Sequence, residues 1–168
     1  MLATKQELQK WIDAGKQRMR EDAESVEIIL RHYSEILLRD DIMQNCSIDL
    51  GHKKIGGFSF NMYQPWYKAS PLGMIHDIHI VIDGEVIPRE SIQLIIRNGQ
   101  RFDLCNASTI QDIWWNVVEP ITVFAHKEGG LAPGNHELEV TIAEQTAEYY
   151  ENPLNMIMGS VKKIMQVS

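Results

Sequence analysis

The residues best equipped for chemistry in this chain are His76, Asp77 and His79, which carry the donor types that hold a transition metal. Their neighbours predict a strand, however, and on a strand odd offsets point to opposite faces. His76 would share the face of Ile78 and Ile80, with Asp77 and His79 turned the other way, so the two imidazoles diverge. A structural or interface role fits the triplet better than a metal centre. His52, His126 and His136 sit beside turn signals and have no ligand-spaced partner.

No nucleophile stands out either. The chain has no Gly-x-Ser-x-Gly elbow, and neither Cys46 nor Cys105 lies in an activating motif. Cys105 follows Phe102 and Leu104 and reads as packed. Gly129-Gly130 lacks the Lys-Ser/Thr of a phosphate loop, and turn formation accounts for it. Glu21-Asp22 and Asp40-Asp41 read as solvated charge on or beside a helix. No carboxylate spacing supports a paired-carboxylate hydrolase. The expectation is a chain with no catalytic group and no metal ligands of its own.

Aromatic placement is more distinctive. Tyr63, Trp66 and Tyr67 surround Pro65, just before Ser70-Pro71-Leu72-Gly73. Trp114 and Trp115 are adjacent, so in an extended chain one faces inward and the other outward. Such rings can anchor a protein interface or stack on a flat ligand, and core packing accounts for each cluster equally well.

The elements that would position these residues are mainly β. The start reads as an amphipathic helix over residues 1–43: Thr4 and Glu7 have capping-box spacing. Leu8, Trp11, Ile12, Met19, Val26, Ile29, Leu30, Tyr33, Ile36 and Leu37 make an apolar stripe near a 3.6-residue period, broken at Gly15. That stripe could pack on its own domain or dock another chain. Residues 44–150 alternate as strands do, in Phe58/Phe60/Met62, Ile78/Ile80/Ile82, Ile92/Leu94/Ile96, Ile121/Val123 and Leu138/Val140/Ile142. Asp83-Gly84 and Asn98-Gly99 are hairpin signals. Short strands joined by such turns predict an antiparallel β-sandwich. After Asn152-Pro153, the spacing of Leu154, Ile157, Met158, Val161 and Ile164 predicts a short helix in a 151–168 tail.

Composition limits the partners. Of 168 residues, 44% are hydrophobic and 23% charged, which suits a globular domain, and the net charge of -7 argues against binding nucleic acid. Two cysteines make no disulfide framework, the start lacks the apolar run of a signal peptide, and no stretch is long enough to span a bilayer. The expectation is a cytoplasmic protein that binds neither nucleic acid nor membrane.

Several segments taken in order resemble the β subunit of the C-glycoside deglycosidases. They are Gly57-Phe58-Ser59-Phe60, Trp66-Tyr67-Lys68-Ala69-Ser70-Pro71-Leu72, the run from Ile75 through Asp83-Gly84 to Pro88, and Gly129-Gly130-Leu131-Ala132-Pro133-Gly134-Asn135-His136-Glu137-Leu138. The resemblance covers about Gly56 to Ile142. Where that family usually reads Tyr-Tyr-Arg-Gly before Pro-Leu, Trp66-Tyr67-Lys68-Ala69 stand here, and Lys68 keeps the charge without arginine's planar fork.

The resemblance implies the non-catalytic small subunit of a heteromeric carbon–carbon lyase, inactive alone. Its partner would be a sugar-isomerase-like barrel, the α subunit, holding a divalent metal such as manganese. The substrate would be an aromatic, flavonoid-type C-glucoside oxidised to the 3-keto sugar, whose ketone acidifies the neighbouring C–H so that proton removal and elimination release the aglycone. Tyr63, Trp66, Tyr67, Lys68, Pro71, His76, Trp114 and Trp115 would then line the shared pocket or the subunit interface. A free-standing carbohydrate-binding module using the same aromatics is the alternative.

Overall fold

The computed structural model describes residues 6, 9, 10, 13, 36–65, 68–145 and 156–168. Gln6, Gln9, Lys10 and Asp13 are helical and exposed, as the polar side of the predicted N-terminal helix would be, and Ile36 and Leu37 are helical too. Residues 38–41 are not, and a strand begins at Ile42, so the helix stops short of the predicted residue 43, while its other positions lie outside the described residues. The domain begins with β1 (Ile42–Asp49), β2 (Lys54–Met62) and the short β3 (Ser70–Pro71). β4 (Ile75–Ile82), β5 (Glu85–Val86), β6 (Ile92–Ile95) and β7 (Arg101–Asp103) follow. A 3-10 turn over Leu104–Thr109 leads to β8 (Trp114–Trp115), β9 (Ile121–His126), β10 (Gly134–Gln145) and β11 (Met156–Val167).

Among the described residues these strands form one sheet in the order β5-β4-β10-β11-β1-β2-β9-β6-β7, plus a separate β3–β8 ribbon. This corrects the expected sandwich. β1 pairs antiparallel with β2 on one side and, through Ile42–Gln166 and Met43–Val167, parallel with β11 on the other. Hydrogen bonds therefore join the two halves into one curled sheet instead of leaving two stacked layers. Ile78, Ile80 and Ile82 on β4 and Ile92 and Leu94 on β6, near opposite ends of that order, enter a single core. The 104–109 turn packs against both β4 and β6, so it bridges the mouth of the curl.

The alternation read in the sequence matches the burial. Phe58, Phe60 and Met62, then Leu138, Val140 and Ile142, are all interior, and burying each such side chain contributes about 1.5–3 kcal/mol. Asp83 (φ 49) and Gly84 (φ 82) make the hairpin turn with both central residues at positive φ. The second turn differs: only Gly99 has positive φ, and the Asn98 side chain instead accepts the Gln100 amide at 2.9 Å.

The predicted C-terminal helix is overturned. Residues 156–167 form β11, paired antiparallel with β10 from Gln145–Met156 to Gly134–Val167. The buried positions alternate as Gly159, Met165 and Val167, with Val161 partly buried, while Ile164 is exposed. A ladder of twelve residue pairs with β10 outweighs a helical spacing that rested on five apolar side chains.

Candidate functional site

The β3–β8 ribbon brings two of the predicted site residues together. Ser70 pairs with Trp115 and Pro71 with Trp114. Leu72 N–H donates to the Ile113 carbonyl at 2.9 Å, and Gly73 N–H to that of Ile110 at 2.8 Å, which extends the tie. Trp115 is 3% exposed and donates its indole N–H to the Glu119 carbonyl at 3.0 Å, so it is a packing residue. Trp114 is 57% exposed, and Val118 beside it in the same loop is also exposed. The alternation of the Trp pair is as the sequence predicts, and it leaves one large ring on the surface.

Below the ribbon lies a polar cluster outside the residues singled out from the sequence. Glu144 on β10 is fully buried. Its Oε1 accepts from the Ser70 hydroxyl and, at 3.1 Å, from the Gln64 amide, which also donates to Ser70 Oγ at 2.8 Å. Burial, partly offset by those two donors, pushes the Glu144 carboxyl up to about 7. Strand alternation accounts for its inward aim, since Glu144 continues the interior row Leu138, Val140, Ile142, and a β-bulge lies opposite it. β10 Ala143 pairs with Asp77 but Glu144 pairs with Ile75, so β4 carries one extra residue there.

The same bulge resets β4. Facing alternates as predicted from Ile78 to Ile82, but Ile75 also enters the core, and Asp77, expected outside with His79, is 5% exposed. Arg89 closes this corner: its Nε donates to Asp77 Oδ1 at 2.7 Å and its Nη2 to the His76 carbonyl at 3.2 Å. Burial raises the Asp77 carboxyl, against the pull of Arg89. Burial likewise lowers the half-buried His76 imidazole, which prefers the neutral form. Among the described residues no group of three or more His, Cys, Asp or Glu is placed to hold a metal ion.

The remaining candidates are dispersed. Tyr63 is half-buried, donates its amide to the Leu37 carbonyl at 3.0 Å and lies under the Arg39 guanidinium at 4.2 Å from its ring centre. Lys68 is exposed. Trp66 and Tyr67 lie outside the described residues.

Two segments quoted for the resemblance meet at one end of the sheet. His136 Nδ1 lies 2.6 Å from Asp83 Oδ2, and its Nε2 lies 2.7 Å from the Ala132 carbonyl. Both ring nitrogens face acceptors, which favours the protonated ring. Its proton is held above the usual histidine range, first by Asp83, whose own carboxyl is lowered in turn. Asp83 Oδ1 also accepts the Glu137 amide at 2.9 Å. Beside this, Asn45 Nδ2 donates to the Leu131 carbonyl at 2.7 Å and its Oδ1 accepts the Leu131 amide at 2.8 Å. Both arrangements tie turns to strand ends. Among the described residues no helix is long and apolar enough to cross a membrane.

Comparison with known proteins agrees with this picture. The profile of the C-glycoside deglycosidase beta subunit family matches residues 33–149. Over 89 residues the chain is 28% identical to a 3'-dehydrocarminate deglycosidase beta subunit from Microbacterium sp, covering 52% of this chain and 64% of that protein. Over 93 residues it is 28% identical to a C-glycoside deglycosidase beta subunit from Eubacterium cellulosolvens, covering 55% of this chain and 63% of that protein. The chain thus spans somewhat less than two thirds of either relative's own length. With the family profile spanning most of the curled sheet and both motif segments, this chain belongs to the C-glycoside deglycosidase beta subunit family.

Proposed function

We propose that this chain is the non-catalytic small subunit of a heteromeric, cytoplasmic carbon–carbon lyase that cleaves 3-keto aromatic C-glucosides of the flavonoid type. The base and the divalent metal, manganese by the resemblance, belong to a sugar-isomerase-like α subunit. The observation that carries the reading is the family match over residues 33–149. The name of the Microbacterium relative, a deglycosidase acting on a dehydro compound, supports a keto sugar as the substrate class.

The geometry supplies a role for this chain within that assembly. A ribbon anchored by backbone pairing presents the exposed Trp114 ring beside Pro71, with Lys68 exposed just upstream. A rigid, amphipathic ring held this way loses little entropy on contact, as an interface anchor or an aglycone-stacking platform requires. Co-expressing this chain with a sugar-isomerase-like α subunit, then sizing the product and assaying it on a 3-keto aromatic C-glucoside, tests the proposal. A joint complex that releases aglycone is the expected result. A stable monomer that ignores the α subunit and binds simple glycans would replace this reading with that of a carbohydrate-binding module.

A further inference from the structure

Glu144 is fully buried, yet only one of its oxygens is used. Oε1 takes both hydrogen bonds, and Oε2 is buried with no hydrogen-bond partner. The two donors come from the two ends of one segment: Gln64, itself fully buried, stands before Pro65, and Ser70 opens β3. Ser70 also pairs with Trp115, so the carboxyl is connected through one side chain to the ribbon that presents Trp114. The main sheet and the β3–β8 ribbon are separate in their backbone pairing, so this side-chain tie does what no ladder does.

We propose that Glu144 is a positioning residue: from inside the main sheet it clasps both ends of the 64–70 segment and, through Ser70, sets the Trp114 ribbon where the partner subunit meets it. The functional half of this statement rests on the reading under Proposed function; the clasp itself does not. Gly159 on β11 lies against this region: a Cβ there would make ordinary contact with Ile142 at 3.5 Å, Pro65 at 3.6 Å and Leu37 at 3.8 Å. Among the described residues the groups facing the carboxyl are Gln64 and Ser70, with Ile75 across the ladder on β4. Next along β4, the Asp77 carboxylate is paired with Arg89, and neither it nor the His76 imidazole acts as a counter-charge to Glu144.

The clasp is therefore pH-dependent. Opened to water, the carboxyl returns to its ordinary value of 4.5, whereas closed it titrates at about 7. Opening becomes easier as pH rises between those two values and levels off above the upper one.

The test uses the full chain and two substitutions. Glu144→Gln keeps an acceptor for Ser70 and Gln64 but cannot ionise, and Glu144→Met keeps the volume and removes the acceptor. Trypsin cleavage after the exposed Lys68 reads opening of the segment. We expect Glu144→Met to be cleaved about fivefold faster or more, the equivalent of losing one net hydrogen bond, with an unchanged or higher melting temperature. The ratio of wild-type to Glu144→Gln cleavage should climb as pH approaches 7 and then flatten. In the assembled enzyme Glu144→Met should raise KM more than it lowers kcat, and Glu144→Gln should restore KM. Should Glu144→Met fail to fold, Ser70→Ala takes its place with the same expected cleavage. Wild-type protection of Lys68 in both Glu144→Met and Ser70→Ala, or a pH-independent ratio, overturns the clasp. If the clasp behaves as stated but wild type fails to join any α subunit, the functional reading fails alone.

Discussion

Replacing Asp83 by Asn decides whether the quoted motifs are structural or chemical. Asn tolerates positive φ, so the turn at Asp83-Gly84 survives, and its amide oxygen can still accept the Glu137 N–H. What is lost is the charge opposite His136. A hydrogen bond between charged groups is worth about 1.5–3 kcal/mol, but the Asp83 side chain is half exposed. Solvent screening lowers the figure to about 0.5–1 kcal/mol, or about 1–4 °C in Tm for a chain of this size.

The pH profile is the sharper readout. His136 is raised above its ordinary 6.5, so its contribution is complete below that pH and fades as pH climbs through the folded-state value. Asp83 is lowered from 3.8, so its contribution is complete above that pH and fades as pH falls through its own folded-state value. The Tm gap between wild type and Asp83→Asn should therefore be widest between those two ordinary values and narrow as pH rises past the folded-state value of His136. Differential scanning fluorimetry across that range measures it. A gap that is flat or grows with pH refutes the imidazolium pair. Lost deglycosidase activity in an assembled, equally stable Asp83→Asn variant would refute the structural reading of the motif.

Other perturbations follow from the same geometry. A Cβ at Gly57 would stand 2.1 Å from the Ala125 carbonyl oxygen inside the β2–β9 ladder, so Gly57→Ala should cost about 3 kcal/mol or more in urea unfolding; a wild-type midpoint would contradict the close approach. Asn45→Ala removes both bonds that hold Leu131 and should cost about 1–3 kcal/mol by the same measurement, with no change meaning that the 129–131 loop is held otherwise. Trp114→Ala should leave Tm nearly unchanged, because the ring is mostly in solvent, while weakening α-subunit or substrate binding about tenfold or more; unaltered affinities and KM would remove Trp114 from the interface.

Much of the sheet could be read directly, because its strands bury one face and alternate cleanly, as in Ile78, Ile80 and Ile82. β11 escaped that reading for a physical reason. Its inward row includes Gly159, and its outward row includes Ile164, so polarity and facing do not coincide. The curl escaped because it depends on two parallel residue pairs between chain-distant strands, which leave no local trace. At the site, period-two reasoning puts one of Trp114 and Trp115 inside and one outside without saying which, and the ring that faces solvent is Trp114. Glu144 continues the interior row of Leu138, Val140 and Ile142, but its charge reads as a strand end turning to solvent, and the donors that let it stay buried, Gln64 and Ser70, are remote in sequence. The short hairpin of Pro71 and Trp114 could not be foreseen either, since β3 and β8 are each two residues long.

The account's central claim is that this chain completes an enzyme whose chemistry lies in another subunit. Aglycone release from a 3-keto aromatic C-glucoside, measured while this chain is titrated into a fixed amount of α subunit, tests that claim most directly. The account predicts negligible turnover from either chain alone and a rise that saturates at a fixed ratio of the two. Full turnover from this chain by itself, or a rate from the α subunit that this chain does not alter, would contradict it.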